Sequence, residues 1–318
     1  MRSAPVAGHI TIRKRSWYKQ LWMNKTLWLM CMPVILFFIL FSYMPLPGIY
    51  IAFVKFNYRA GIFGSKFIGW ENFRPLFMTG KIWELTRNTL PYNLAFIITG
   101  NAVQIVMALL FNEMRSRRIK KTTQSLMILP HFISYVLVGL FLYNLMNYDT
   151  GLFNMLLRNT GFARISIYNS PSVWPALLIF VNLWKTTGYG TIIYFAAIMG
   201  IDAEMLEAAQ IDGASTIQRI WYILLPCLKG TVVILILLSL GGIIRGNFDL
   251  FYNTAGANNS ILFPTTDIIE TFIFRSLMNN FAFSPAAAVS LYQSVFGFFI
   301  VIFFNWLVRK IEPEYALF

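Results

Sequence analysis

The chain has 318 residues, of which 57% are apolar, 17% aromatic and only 12% charged. Ordinary soluble domains carry about 25% charged residues, so this composition excludes a soluble globular fold. The formal net charge is +13, but the basic residues cluster in short segments between apolar stretches, which is typical of membrane orientation and not of nucleic-acid binding. We therefore expect an all-α integral membrane protein without a nucleic-acid partner.

The N-terminal segment is basic and aromatic. Residues 1–26 hold six Lys or Arg and no acid, with Trp17, Tyr18 and Trp22 among them. Such a mixture is typical of the cytoplasmic headgroup layer, with rings in the interface and cations near lipid phosphate. We therefore treat 1–26 as a cytoplasmic interfacial segment that contacts lipid, and 27–318 as the transmembrane domain.

Six apolar stretches in the remainder have roughly the length that a helix needs to cross a bilayer. The predicted spans are 27–46, 88–112, 124–147, 173–200, 228–245 and 286–308. With both termini in the cytoplasm, fifteen Lys or Arg fall inside and ten fall in the longer external segments. This bias predicts six transmembrane helices, although the external segment 47–87 is more basic than the rule favours.

A polar interruption, the 201–227 loop, separates the fourth and fifth spans and carries four of the thirteen carboxylates. Asp202 is a predicted N-cap for a first short helix. Gly213 suits the turn that stops it, because a left-handed backbone costs glycine little. A second amphipathic helix is predicted to run to Pro226, whose missing N–H is tolerated at a helix start.

The spacing in this loop is Glu-Ala-Ala, three residues, Gly, nine residues and Ile-x-Leu-Pro. It resembles the EAA loop of permease subunits of type I ATP-binding-cassette (ABC) importers. In that family the first helix is a coupling helix that docks in a groove of a cytoplasmic ATPase subunit. For Glu-Ala-Ala alone, an ordinary helical hairpin at the membrane surface is the alternative. The resemblance assigns the coupling role to Glu207, Ala208, Ala209, Asp212, Gly213, Ile223, Leu225 and Pro226.

Further stretches resemble the subgroup of these permeases that imports acidic oligosaccharides of the alginate or polygalacturonan type. They are residues 47–53, 69–73, 247–249, 267–272 and 291–294. The resemblance implies the type I importer permease fold in a bacterial cell (inner) membrane. It also implies a second, different permease chain, two cytoplasmic ATPase subunits and an extracytoplasmic sugar-binding protein as partners.

The chain has no Gly-x-x-x-x-Gly-Lys-Ser/Thr phosphate loop, so we interpret it as a non-enzyme without a cofactor of its own. ATP and Mg²⁺ are expected on the partner ATPase. The only histidines, His9 and His131, stand in no metal or catalytic-triad pattern. We interpret His131 as a packed histidine, and Cys31 and Cys227 as small buried hydrophobes.

Lys185 is an anomaly inside the fourth span, because a charge there costs at least ~2.5 kcal/mol unless it faces protein or water. Its neighbours supply the aromatic faces and hydrogen-bonding groups that a sugar path needs, and the cation suits a uronate carboxylate. The alternative is that Lys185 snorkels or pairs with a carboxylate such as Asp249. The predicted path residues on this span are Asn182, Trp184, Lys185, Thr187 and Tyr189.

Arg245, Asn247 and Asp249 follow the fifth span and complete the predicted substrate path. Glycines at 241, 242 and 246 permit close helix packing or leave room for a ligand. Alternatively, Arg245 and Asp249 pair with each other.

These observations predict the permease subunit of an ATP-driven importer that moves an acidic oligosaccharide into the cytoplasm by alternating access. An importer of neutral oligosaccharides is the first alternative. An ion-coupled secondary transporter would need several carboxylates within its spans, and these spans contain almost none. A scaffolding protein would leave Lys185 without a use.

Overall fold

The computed structural model describes residues 22–256, 258–311 and 313–315, and the chain divides into two compact units after Tyr50. The predicted segment 1–26 therefore lies almost wholly outside the described residues. In the first unit, helix α1 (Lys25–Phe38) continues into a π-helical turn (Ile39–Tyr43), and a 3-10 helix begins at Leu46. No residue of α1 or of this π-helical turn, both fully described, is buried, which leaves an apolar surface suited to lipid.

In the described residues of the second unit, the regular structure is helical apart from one two-stranded hairpin. The strands are β1 (Val54–Asn57) and β2 (Ser65–Phe67). The helices are α2 (Gly61–Gly64), α3 (Arg74–Met78), α4 (Lys81–Glu113), α5 (Arg117–Phe132), α6 (Tyr135–Met146), α7 (Leu152–Asn159), α8 (Trp174–Met199), α9 (Ala203–Ile211), α10 (Thr216–Arg219), α11 (Leu225–Leu240), α12 (Phe248–Phe251), α13 (Phe263–Thr266), α14 (Ile269–Met278) and α15 (Phe283–Ile311).

Among the described residues, four helical stretches are long and apolar enough to cross a membrane. They are Lys25–Phe53, Lys81–Glu113, Thr216–Leu240 and Phe283–Lys310. A fifth is obtained if α5 and α6, which meet at a bend of 91°, count as one broken span. The sequence predicted a single continuous helix over 124–147, so this part of the prediction is wrong. Ile133 and Ser134 are extended at the break, and Ser134 caps α6 by accepting a hydrogen bond from the Leu137 N–H.

The predicted fourth span corresponds to α8, which has 26 residues and is about 39 Å long. That length exceeds the roughly 30 Å of a bilayer core. Polar residues in its middle lower its hydropathy, but Asn182, Lys185 and Thr191 are buried within the protein. Composition by itself therefore supports four or five spans, fewer than the six predicted.

The predicted fifth span begins earlier and ends earlier than expected. A π-helical turn (Ile220–Leu224) joins α10 to α11 without interruption, and the helix stops at Leu240 instead of residue 245. The second short helix of the 201–227 loop is therefore the start of this span. The π-helical turn shifts the backbone hydrogen-bond pattern just before Pro226, which accommodates a residue that has no N–H.

The hairpin was missed by the all-α prediction, because strands of four and three residues carry too little pattern to be recognised. Its strands are antiparallel, with Lys55 directly opposite Lys66. The Phe56 N–H donates to Ser284 Oγ at 3.0 Å, and Asn72 Nδ2 donates to the carbonyls of Ala52 and Val54 at 2.9 Å. The hairpin is thus fixed to the start of α15.

Two glycines let α8 pack closely against its neighbours. A Cβ on Gly188 would overlap the carbonyl oxygen of Met127 in α5, and a Cβ on Gly190 would overlap the side chain of Gln104 in α4. The middle of α8 is therefore held between α4 and α5. Cys31 and Cys227 are exposed on their helices, so the prediction that both are buried is wrong.

Candidate functional site

Helix α9 is an exposed helix in the 201–227 loop with defined ends. Asp202 caps it, accepting a hydrogen bond from the Glu204 N–H at 3.0 Å, and Gly213 ends it with a φ of +81°. No residue of Ala203–Ile211, all of which the structure describes, is buried. Leu206 packs against the buried cluster that contains Tyr194. The predicted cap and stop are confirmed, and the helix presents a free outer face.

Large side chains at the end of α9 and in the π-helical turn after α10 are exposed. Ile211 is 86% exposed and Tyr222 is 78% exposed. Arg219 lies 3.6 Å from Glu113, which joins α10 to the end of α4. The predicted coupling set divides into two groups. Glu207, Ala208, Ala209, Asp212 and Gly213 lie on or at the end of α9, whereas Ile223, Leu225 and Pro226 belong to the helix that continues into α11.

A cavity of about 350 Å³ lies between α4, α5, α8 and α11. Ligand pockets are commonly about 300–1,000 Å³ and combine apolar walls with a few placed polar groups. This cavity fits that description. Its polar and aromatic lining includes Asn93, Asn101, Gln104, His131, Thr186, Tyr189 and Ser239.

Several side chains that line the cavity are held in place by hydrogen bonds or ring stacking with other protein groups. Asn93 Nδ2 donates to the carbonyls of Ile243 at 2.8 Å and Arg245 at 2.9 Å. The Tyr194 hydroxyl is hydrogen-bonded to Asn101 Oδ1. The rings of His131 and Tyr189 are stacked, with centroids 4.8 Å apart and an angle of 11°. The cavity therefore has a preformed wall.

Lys185 is only 7% exposed, and its ammonium group contacts the break between α5 and α6. Nζ donates to the carbonyls of Pro130 at 3.2 Å, His131 at 2.8 Å and Ile133. It also lies 4.8 Å from the centre of the Tyr135 ring. These bonds use all three ammonium donors. In this arrangement Lys185 stabilises the negative end of α5 and has no donor left for a substrate carboxylate.

The other predicted path residues on α8 face different surroundings. Trp184 and Thr187 line a separate cavity of about 500 Å³ that also involves α5. Thr187 Oγ1 donates to the Leu183 carbonyl at 2.6 Å. Asn182 is buried. Tyr189 is the member of the predicted set that lines the 350 Å³ cavity.

Arg245, Asn247 and Asp249 lie in and just after the turn that follows α11. Arg245 and Asp249 are exposed and form no ion pair with each other in the described part of the chain. Asn247 caps α12 by accepting from the Leu250 N–H, and its Nδ2 donates to the Tyr135 hydroxyl at 2.9 Å. Asn247 therefore connects this turn to the start of α6.

Besides the exposed Asp249, two carboxylates that are at least half-buried lie in the segment between α11 and α15. Asp267 is 1% exposed and pairs with Lys81 at 2.9 Å and Arg275 at 2.8 Å. Glu270 is half-buried and accepts a hydrogen bond from Gln293 at 2.5 Å. Burial raises the pKa of Glu270, opposed in part by hydrogen bonds from the Gly246 backbone and Gln293 and by the charge of Arg245.

The family profile described as "Binding-protein-dependent transport system inner membrane component" matches residues 100–313. The chain belongs to this family. The permease is 31% identical to protein LplB of Bacillus subtilis (strain 168), over 98% of this chain and 97% of that protein. It is 34% identical to the polygalacturonan/rhamnogalacturonan transport system permease protein YteP of the same organism, over 92% of this chain and 90% of that protein.

The permease also resembles chains in two solved structures. One is a bacterial ABC transporter involved in the import of the acidic polysaccharide alginate. The match has 30% identity and a TM-score of 0.84, and covers 93% of this chain and 99% of that one. The other is a bacterial alginate ABC transporter in complex with an alginate pentasaccharide-bound periplasmic protein, with 30% identity, a TM-score of 0.82 and coverage of 92% and 97%. These similarities agree with a type I importer fold and with a subunit that is not itself an ATPase.

Sequence reasoning missed most of the cavity of this permease. His131 was interpreted as packed, yet it is exposed and lines the cavity. Asn93, Asn101 and Gln104 were not singled out. A signal was present, because positions 93, 97, 100, 101 and 104 recur at helical spacing on one face of α4.

Proposed function

We propose that this permease is one of two transmembrane subunits of an ATP-driven importer that moves a uronate-containing oligosaccharide into the cytoplasm by alternating access. The observation that carries the proposal is near full-length similarity to a polygalacturonan/rhamnogalacturonan permease. The match to an alginate transporter chain at a TM-score of 0.84 adds to it. Both relatives handle acidic polysaccharides, so a neutral substrate is the less favoured alternative.

The energy source of this importer is a pair of cytoplasmic ATPase subunits that hold ATP and Mg²⁺. Helix α9 docks on one of them through the outer face that carries Glu207 and Ala208. The exposed helix and the exposed side chains of Ile211 and Tyr222 support this role, because exposed hydrophobic side chains on a helix can pack into a groove of a partner. A second, different permease chain and an extracytoplasmic sugar-binding protein complete the complex.

The topology has six spans in a bacterial inner membrane, with both termini in the cytoplasm. Helix α8 is the span that composition alone does not reveal. Its length and the burial of its polar residues support this assignment, because polar groups in a span face protein and not lipid.

The 350 Å³ cavity is part of the sugar path. Its amides and hydroxyls match the hydroxyl groups of a sugar, and the stacked ring of Tyr189 offers a flat aromatic face. Lys185 acts as a positioning residue, because its three donors hold the break between α5 and α6. On α8, the side chains expected to contact the sugar directly are therefore Tyr189 and Thr186. The other predicted path residues lie outside this cavity: Asn182, Trp184, Thr187, Arg245, Asn247 and Asp249.

Reconstitution with the partner permease, ATPase and binding protein tests the proposal. The complex is expected to take up trigalacturonate on ATP addition and to prefer it to a neutral trisaccharide. Glu207→Lys is expected to abolish stimulated ATPase activity and to weaken co-purification of the ATPase. Glu71→Lys, the same charge reversal at an exposed site in the segment preceding α4, is expected to do neither. Uptake of neutral sugar only, or an ATPase indifferent to Glu207→Lys, contradicts the proposal.

A further inference from the structure

The 350 Å³ cavity is polar, but its lining carries no permanent charge. None of its thirteen lining residues, all within the described ranges, is Lys, Arg, Asp or Glu. A uronate in such a space brings a carboxylate among neutral amides and apolar side chains, and an ionised carboxylate without a partner is costly away from bulk water. Of the thirteen residues, His131 is the one with a basic side chain.

The ring of His131 is held by its face, which leaves its edge free. The 4.8 Å stack on Tyr189 fixes the plane of the imidazole. Within the described part of the chain, neither ring nitrogen has a hydrogen-bond partner. When both ring nitrogens carry a hydrogen, the imidazolium donates from both, and either one can donate a charge-assisted bond to a carboxylate oxygen. The geometry therefore offers a charge-assisted donor at the cavity wall.

The backbone of His131 is anchored as well. Lys185 Nζ donates to the His131 carbonyl at 2.8 Å, and its other two hydrogens go to the carbonyls of Pro130 and Ile133. Tyr189 on α8 is the titratable side chain against the ring. Lys185 reaches the backbone carbonyl of His131 and lies over the Tyr135 ring on α6. Lys185 does not line the cavity and its three donors are used, so it does not compete with His131 for the carboxylate.

We propose that His131 determines specificity for acidic oligosaccharides by donating a hydrogen bond to one uronate carboxylate in the cavity, while Tyr189 packs against the adjacent sugar ring. The proposal rests on the proposed function, since it names the contact that reads the acidic group of that substrate. It assigns recognition of the uronate carboxylate to His131 and not to Lys185. The competing role for His131 is that of a spacer that only shapes the wall by stacking on Tyr189.

The test compares two substrates of equal length in the reconstituted complex with its partner permease, ATPase and binding protein. They are trigalacturonate and its carboxyl-reduced, neutral counterpart, each supplied at a level that saturates the binding protein. Loss of one charge-assisted hydrogen bond in His131→Gln is expected to lower uptake of trigalacturonate by roughly tenfold or more. Uptake of the neutral trisaccharide is expected to stay within about twofold of wild type, because Gln keeps a polar wall.

Two further variants keep the result interpretable. His131→Lys restores a cation and is expected to recover much of the acidic uptake that His131→Gln loses. Leu129→Met, at an exposed position two residues earlier on α5, is expected to leave both uptakes unchanged. Equal loss of both substrates in His131→Gln, or no loss of either, overturns charge recognition by His131 and leaves the proposed function standing. A wild-type complex that takes up no trigalacturonate instead overturns the proposed function, and this inference with it.

Discussion

The ammonium nitrogen of Lys185 lies 2.8 Å from the carbonyl oxygen of His131, at the point where helix α5 ends inside the transmembrane domain. Broken helices are tolerated at membrane depth only where their freed backbone groups find partners. Here one buried lysine supplies three such partners. The buried ammonium group of Lys185 and the unpaired carbonyls at the break between α5 and α6 therefore satisfy each other's hydrogen bonds.

Lys185→Met is expected to lower the free energy of unfolding by at least about 2 kcal/mol, because it removes three hydrogen bonds from a charged donor and leaves carbonyls unpaired. Thermal unfolding of the purified chain in detergent measures the effect. Lys121→Met, an exposed lysine on α5, serves as the control and is expected to change stability by less than about 0.5 kcal/mol. Equal unfolding midpoints for the two variants would show that the three bonds do not stabilise the break.

Gly188→Ala is expected to destabilise the fold by about 1–3 kcal/mol, because the new Cβ meets the Met127 carbonyl oxygen and forces α8 away from α5. Gly100→Ala is the matched control. Its new Cβ would lie 3.8 Å from Gln104 Nε2, an ordinary contact, and alanine is favoured over glycine in a helix. Comparison of the two unfolding midpoints in detergent checks the prediction, and a larger loss at position 100 contradicts it.

Asp267→Asn is expected to lower stability by about 3 kcal/mol, since it keeps the side-chain shape but leaves Lys81 and Arg275 without the buried anion between them. Glu71→Gln removes a carboxylate from the exposed pair with Arg74 and is expected to change stability by less than about 1 kcal/mol. Chemical unfolding of both variants separates the two cases. Similar decreases in the free energy of unfolding for both variants would contradict the prediction that the buried ion pairs of Asp267 stabilise the fold more than the exposed pair does.

Glu270→Gln is expected to have a pH-dependent effect. Burial raises the pKa of Glu270 above its ordinary value of 4.5. At pH values between 4.5 and the raised pKa of the folded state, the folded chain keeps a proton that the unfolded chain has lost. Wild-type stability therefore falls as the pH rises through that window. The variant does not titrate there, so its unfolding temperature relative to wild type is expected to rise as the pH increases above 4.5 and to show no such gain below about pH 4. A pH-independent difference between the two proteins would contradict the prediction.

The sequence was sufficient for features encoded by local chemistry. Asp202 and Gly213 bound a helix because a cap needs a side-chain acceptor and a left-handed turn suits glycine. The apolar stretches form helices because a helix satisfies its own backbone hydrogen bonds in lipid. The break after Phe132 was not predicted, because Pro130, His131 and Ser134 stand in an otherwise apolar stretch and transmembrane helices tolerate such residues without breaking.

The surroundings of Lys185 illustrate a second limit. The sequence suggested a carboxylate such as Asp249 as the ionic partner of Lys185. The actual partners are backbone carbonyls, which every residue possesses and no sequence pattern marks. The cavity depends in turn on how α4 and α8 face each other. The periodicity of α4 identifies a polar face, but only the packing permitted by Gly188 and Gly190 brings that face to Tyr189.

The lysine pair of the hairpin has a consequence for the response of the fold to ionic strength. Lys55 and Lys66 lie directly opposite each other and are exposed, so they repel across the strands. The Debye length shrinks from about 10 Å at 0.1 M salt to about 3 Å at 1 M, and this repulsion weakens accordingly. Added salt therefore tightens the hairpin, while the ion pairs of buried Asp267 are screened much less and keep their strength.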